Sequence, residues 1–280
     1  MRISPNWLAS RPLEFACSSE GLGYAQLSNY TATFREWGDG PPLIVVPGLA
    51  GGIELVAPLA ELLSRRFRVI SYQLRGEEDS FALRRHFGMA DLVQDLSEFI
   101  EWHGLERPHL LGLSFGGVIA LEFAARFPNR LANLCVQGVG ARLESNLVKL
   151  IAGMVLSGYP LPADNPFVNQ FFRLLFGRNP QPIGLVDFVV RNCWHTDQSV
   201  MTHRFRLIRK RDLRPRLNRI QDPVLVMSAP RDVLVTNSSL LDLCNNITDV
   251  RFVHLASGGH LAFLVQAKRV AQEVIGFCGE

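Results

Sequence analysis

Residues 112–117 read Gly-Leu-Ser-Phe-Gly-Gly and stand between a short apolar run and a long helical pattern. The run before them, residues 109–113, is His-Leu-Leu-Gly-Leu, which has the length and apolarity of a buried strand. The stretch after them, residues 115–127, is helical in character and stops at Pro128. A serine on a sharp turn from strand to helix takes strained backbone, and its near neighbours must be small. Gly112 and Gly116 supply that room two positions to either side. The Ser114 hydroxyl then projects above the strand end, at the positive end of the following helix. A glycine-rich turn that merely joins strand to helix is the plainer alternative.

Outward from this turn, strands and helices alternate. Residues 31–37 alternate in polarity like a half-buried strand, and Asp39-Gly40 supplies a turn. Residues 43–46 form a continuous aliphatic run, residues 53–64 have helical spacing, and residues 67–72 read as the next strand. Residues 90–103 predict an amphipathic helix, with Leu92, Val93, Leu96, Phe99 and Ile100 on one side. Residues 131–137 read as a further strand. Alternation stops near Gly140 and resumes with strands at 223–228 and 250–255 and helices at 238–246 and 261–277. This order predicts an α/β fold, a mainly parallel sheet flanked by helices. The middle segment reads as helical. Leu143, Leu147, Ile151 and Val155 recur every fourth residue, and residues 165–176 are rich in phenylalanine. The chain is therefore expected to divide into a core at 1–140, a helical insertion at 141–216 over one edge of the sheet, and a second core part at 217–280.

Composition narrows the function classes. The 280 residues are 48% hydrophobic and 20% charged, which suits a globular chain with a sizeable core. A net charge of +3 is too small for a phosphate-neutralising surface, so no nucleic-acid partner is expected. The five cysteines are scattered and form no CxxC pair, which argues against a disulfide framework and favours a reducing compartment such as the cytoplasm. No signal peptide and no membrane span is expected, because no uninterrupted apolar stretch of the required length occurs. No histidine pair has metal-ligand spacing, so neither a metal nor another cofactor is expected.

A serine hydroxyl is a weak nucleophile and requires a base. Of the seven histidines, His260 follows Gly258-Gly259 in the loop after the last expected strand. Open α/β sheets carry their sites at the carboxyl ends of strands. His254 lies within that strand and is expected to point into packing. His86, His103, His109, His195 and His203 fall on helices, strand starts or the insertion and read as surface or core residues. The base in turn needs a carboxylate that holds its tautomer. Asp232 comes just after strand 223–228, whereas Asp222 precedes that strand and Asp242 falls mid-helix. For a developing oxyanion, the backbone N–H groups of Leu49 and Phe115 are the natural donors. Leu49 lies in Val-Pro-Gly-Leu-Ala-Gly-Gly, residues 46–52, which lacks both phosphate-binding glycine patterns.

These residues together resemble the α/β-hydrolase superfamily over nearly the whole chain from about Thr31. The likeness rests on GLSFGG at the turn, PGLAGG after the first long strand, the stretch ending RDVLV and the terminal GGHLAF. It implies a catalytic set of Ser114, Asp232 and His260 in that chain order, an oxyanion hole at Leu49 and Phe115, and no cofactor. Serine rather than aspartate at 114 argues against haloalkane dehalogenase and epoxide hydrolase. Three positions depart from the family's usual residues. Gln73 stands where aspartate is common, Pro47 replaces a frequent histidine, and Leu113 precedes the serine where histidine, tyrosine or asparagine is frequent.

In the family a helical cap after the sixth strand shapes the substrate pocket, and the insertion resembles such a cap. Its Met154, Phe171, Phe172 and Trp194 are expected to line an apolar pocket for an apolar acyl or aromatic small molecule. The basic residues of 203–219 read either as a solvated helix face or as an attractor for an anionic group. The expected reaction is cleavage of a carboxylic ester or related acyl bond through an acyl-enzyme on Ser114. The same residues would also serve a lactonase, a thioesterase, a C–C bond hydrolase or a cofactor-free haloperoxidase or perhydrolase. A binding protein on the same fold, without catalysis, is the alternative of another class. The sequence carries no signal for an oligomeric state.

Overall fold

The apolar runs of the sequence become the inner strands of one sheet. The computed structural model describes residues 21–77, 86–144, 153, 166–177, 181 and 184–279. Its strands are β1 (Leu22–Gln26), β2 (Thr31–Trp37), β3 (Pro42–Val46), β4 (Arg68–Tyr72), β5 (His109–Leu113), β6 (Leu134–Gln137), β7 (Val224–Ser228) and β8 (Val250–His254). They lie in the order β1-β2-β4-β3-β5-β6-β7-β8. β2 pairs antiparallel with β1 and β4, and every other pairing is parallel. The strands buried on both faces, such as β7 with Val-Leu-Val-Met-Ser, have continuous apolar sequences. The edge strand β8 is mostly exposed.

The described helices are α1 (Gly52–Leu63), α2 (Met89–Trp102), α3 (Phe115–Arg126), α4 (Pro166–Leu175), α5 (Leu185–Cys193), α6 (Gln198–Arg209), α7 (Arg214–Leu217), α8 (Asn237–Asn246), α9 (Ala262–Val265) and α10 (Ala267–Cys278). Alternate strand residues feed opposite layers. Ile44, Val46, Leu110 and Val136 pack against Leu96 and Phe99 of α2 and Ile119 and Phe123 of α3. Leu43, Val45, Leu111 and Leu225 pack with Leu59 and Leu63 of α1 and Val270 and Val274 of α10. The predicted apolar side of α2 is the buried one, with Leu92, Leu96, Phe99 and Ile100 at 0% exposure.

Several boundaries depart from the sequence expectation. β1 was not anticipated, because Leu-Gly-Tyr-Ala-Gln has a glycine inside it and buries only Ala25. β6 begins at Leu134 rather than 131. The Leu131 N–H donates to Asp222 Oδ1 at 3.0 Å, which holds that residue in a turn outside the ladder. The helix expected at 261–277 is two helices. The chain breaks at Gln266 (φ −121°, ψ 36°), whose side-chain amide donates to the Ser257 carbonyl. The four-residue repeat from Leu143 to Val155 falls largely outside the described residues. Within the stretch expected to be an insertion, Leu175 of α4 accepts the Leu261 N–H, Arg204 of α6 donates to the Leu49 carbonyl, and Thr196, between α5 and α6, accepts the Gly51 N–H.

Candidate active site

Ser114 joins β5 to α3 with φ 52° and ψ −113°. That region is costly for a residue with a side chain, by about 1–3 kcal/mol, and the packing around it enforces it. A Cβ on Gly112 would stand 2.6 Å from the Gly117 Cα, and one on Gly116 would stand 2.2 Å from the Val46 carbonyl oxygen. Both glycines are therefore steric requirements of the turn. Gly116→Ala is expected to cost about 3 kcal/mol of stability, by forcing two backbone segments apart. Thermal denaturation checks this, and a melting temperature equal to that of the parent protein contradicts it.

The loop after β8 brings His260 to the serine. The His260 Nε2 lies 2.6 Å from Ser114 Oγ. The ring is 6% exposed and is braced from several sides. Gln137 Nε2 donates to the His260 carbonyl at 3.3 Å, and the Leu261 N–H donates to the Leu175 carbonyl of α4 at 3.1 Å. Asp232 follows β7 and lies 2.9 Å, through Oδ2, from His260 Nδ1. Its Oδ1 also accepts the Leu234 N–H at 2.8 Å and the Val235 N–H at 3.1 Å. Burial opposes ionisation of Asp232, but the His260 ring and the two amides outweigh it and hold the carboxyl below the usual carboxylate range. The three side chains named from sequence thus form one line of hydrogen bonds.

His254 is a correction: it is exposed at the edge strand, with Nδ1 2.9 Å from Ser228 Oγ, and does not point into packing. Leu49 and Phe115 line the same cavity as Ser114 and His260. Phe115 opens α3, where first-turn amides have no intrahelical acceptor. Gln73, in the usual place of an aspartate, accepts the Ile53 N–H through Oε1 at 3.2 Å and so braces the start of α1.

The cavity beside Ser114 has a volume of about 210 Å³. Phe171, Phe172 and Trp194 line it as expected, whereas Met154 lies outside the described residues. The sequence reading missed Val118 and Val139 on the core side and Met201, Phe205 and Ile208 on α6. The last three sit at helical spacing, but arginines interleave them and drew the reading toward charge.

The basic stretch is not a uniform solvated face. Arg206, Arg209, Lys210 and Arg219 are exposed. Arg211 Nε and Arg216 Nη1 donate to Glu122 at 2.6 and 2.8 Å, and Arg214 Nη2 donates to Asp212 at 2.6 Å. Arg204 is fully buried. Among the described residues no His, Cys, Asp and Glu cluster is placed to hold a metal ion, and no helix is long and apolar enough to cross a membrane.

A family model described as the alpha/beta hydrolase fold matches residues 41–267. The chain is 26% identical over 265 residues to a RutD protein of Azorhizobium caulinodans whose name proposes carbamate hydrolysis, with 92% of this chain and 99% of the relative covered. The enol-lactonase of Burkholderia xenovorans LB400 superposes with a TM-score of 0.81 at 24% identity, covering 92% of this chain and 100% of the lactonase. An esterase from Exiguobacterium antarcticum does so with a TM-score of 0.81 at 19% identity, over 92% and 99% of the two chains. Likeness to these solved structures is likeness of fold.

Proposed function

The chain belongs to the α/β-hydrolase fold family and is an enzyme of that family, and from that premise we propose that it cleaves a carboxylic ester or related acyl bond through an acyl-enzyme on Ser114. The observation that carries this reading is the 2.6 Å approach of Ser114 Oγ to His260 Nε2, with Asp232 at 2.9 Å from the other ring nitrogen.

In this mechanism His260 Nε2 takes the Ser114 proton as Oγ attacks the carbonyl carbon. The Asp232 carboxylate accepts the Nδ1–H bond, fixes the tautomer and stabilises the imidazolium. The N–H groups of Leu49 and Phe115 hold the oxyanion, each such donor being worth roughly 10²–10³ in rate. His260 returns its proton to the leaving group. A water molecule, deprotonated by the same ring, then releases the acid and restores Ser114.

The lining favours an apolar acyl group. Phe171, Phe172, Trp194, Val118 and Val139 supply shape and little hydrogen bonding. The names of the relatives point to carbamates, lactones and esters, all of which offer a carbonyl carbon to such a serine. The residues of 141–216 form the cap in this reading, divided from the core at 1–140 and 217–280. A fluorophosphonate probe tests the assignment. Stoichiometric labelling of the peptide that contains Ser114 is expected, and an unlabelled, folded protein would favour a binding role without catalysis.

Phe172 limits the acyl end of the cavity in this account. Phe172→Ala is expected to raise the kcat/KM ratio for long over short acyl nitrophenyl esters roughly tenfold, since a methylene group contributes about 1–3 kcal/mol in such a pocket. An unchanged chain-length profile across the ester panel would place the acyl group elsewhere.

A further inference from the structure

Arg204 of α6 is fully buried, and its guanidinium is spent on the loop that follows β3 and on the segment after β4. Nη1 donates to the Leu49 carbonyl at 2.8 Å and also to Glu77, and Nη2 donates to the Arg75 carbonyl at 2.6 Å. Glu77, 3% exposed, accepts a second bond at 2.7 Å from the Thr196 hydroxyl, which lies just before α6 and is fully buried. The Thr196 Oγ1 in turn accepts the Gly51 N–H at 3.0 Å. A closed circuit results. The loop at residues 49–51 is held by its carbonyl at one end and its amide at the other. Both holds come from the insertion and meet at one buried carboxylate.

Buried charge is costly unless it is paired and hydrogen-bonded; Arg204 Nη1 and Nη2 and both Glu77 oxygens are so used, while Arg204 Nε is without a partner among the described residues, and a circuit of this kind has few alternative arrangements. It also bears on one functional group. The peptide pinned by Arg204 is the one that follows the Leu49 N–H, and the turn pinned by Thr196 starts α1. The same helix that carries Arg204 presents Met201, Phe205 and Ile208 to the cavity.

We infer that Thr196, Glu77 and Arg204 are positioning residues that hold the Leu49 amide where the transition-state oxyanion forms, so that docking of the insertion completes the catalytic site. This rests on the assignment of Ser114 as nucleophile and Leu49 as oxyanion donor. None of the three touches the substrate. They act through residues 49–51, and their effect falls on the tetrahedral state rather than on substrate binding. A donor displaced by a fraction of an ångström loses much of its contribution.

Thr196→Val keeps the shape and removes the hydroxyl. Its kcat on a nitrophenyl ester is expected to fall roughly ten- to hundredfold with KM nearly unchanged. Inhibition by an alkylboronic acid, whose tetrahedral adduct on Ser114 uses the same donors, is expected to weaken by the same factor. Thr196→Ser restores the hydroxyl and is expected to restore both. Should Thr196→Val fail to fold, Arg204→Lys carries the test. An ammonium group keeps Glu77 partnered but loses the planar fork that spans Glu77, Leu49 and Arg75, and the same fall in kcat is expected. Parent-like kcat and boronate affinity in a folded variant overturn the inference, and so does a loss confined to KM. An inactive Ser114→Ala protein beside a fully active Thr196→Val protein removes the relay alone. A fully active Ser114→Ala protein removes the assignment beneath it.

Discussion

Ser114→Ala is expected to lose ester turnover by about six orders of magnitude, leaving only the residual rate that binding and oxyanion stabilisation provide. Ser114 holds a left-handed backbone at φ 52°, and its Oγ lies 2.6 Å from an imidazole nitrogen. No other hydroxyl is bonded to the His260 ring among the described residues. Removing one oxygen atom leaves the elbow, the sheet and the cavity in place. The variant should therefore match the parent protein in circular dichroism and melting temperature while its steady-state rate on a nitrophenyl ester disappears. Retained turnover would mean that the serine is not the nucleophile.

Asp232→Asn should be nearly as damaging, with kcat reduced by about 10⁴. The amide has the shape of the carboxylate, and its oxygen still accepts the Leu234 and Val235 N–H groups that Asp232 Oδ1 takes at 2.8 and 3.1 Å. Its NH₂ then faces His260 Nδ1 and selects the tautomer with the proton on Nε2. That ring has no lone pair with which to receive the serine proton. The imidazolium also loses its counter-charge. Because the Asp232 carboxyl is held below the usual carboxylate range, its contribution to stability is present above the unfolded carboxyl pKa of about 3.9 and is lost as pH falls through the lower folded value. Steady-state kcat on the same ester measures the effect, and a loss of less than tenfold would remove Asp232 from the mechanism.

Much of the fold was legible because its centre is repetitive. Strands covered on both faces must be apolar throughout, and the runs at β3, β5 and β7 say so without context. The elbow was legible because its steric demand falls on glycines, and the distances of 2.6 and 2.2 Å at Gly112 and Gly116 bear that demand out. Asp232 and His260 were singled out by where they stand relative to strand ends, and the structure sets Asp232 Oδ2 2.9 Å from His260 Nδ1. β1 was illegible because Leu-Gly-Tyr-Ala-Gln carries a glycine inside it and buries only Ala25, so no clear alternation marks this edge strand.

Arg204 is the instructive case. In the sequence it is one arginine in a basic run, and Arg206 and Arg209 beside it are exposed. The signal was periodic, not chemical. Positions 201, 204, 205 and 208 fall on one helix face, and the other three line the cavity. An arginine on an apolar stripe needs a buried partner. Glu77 is 127 residues away in the chain, and sequence spacing carries no information about such a pair. The expected line at Gly140 was likewise drawn from a change of pattern, while the bonds that Thr196 and Arg204 make to residues 49–51 are side-chain contacts that no pattern records.

The covalent intermediate is the most direct test of the account. Parent protein mixed with excess nitrophenyl ester and quenched in acid within the first turnover is expected to gain the mass of one acyl group, and peptide mapping should locate that group on Ser114. Release of nitrophenol with no acyl adduct on Ser114, or an adduct on another residue, would contradict it.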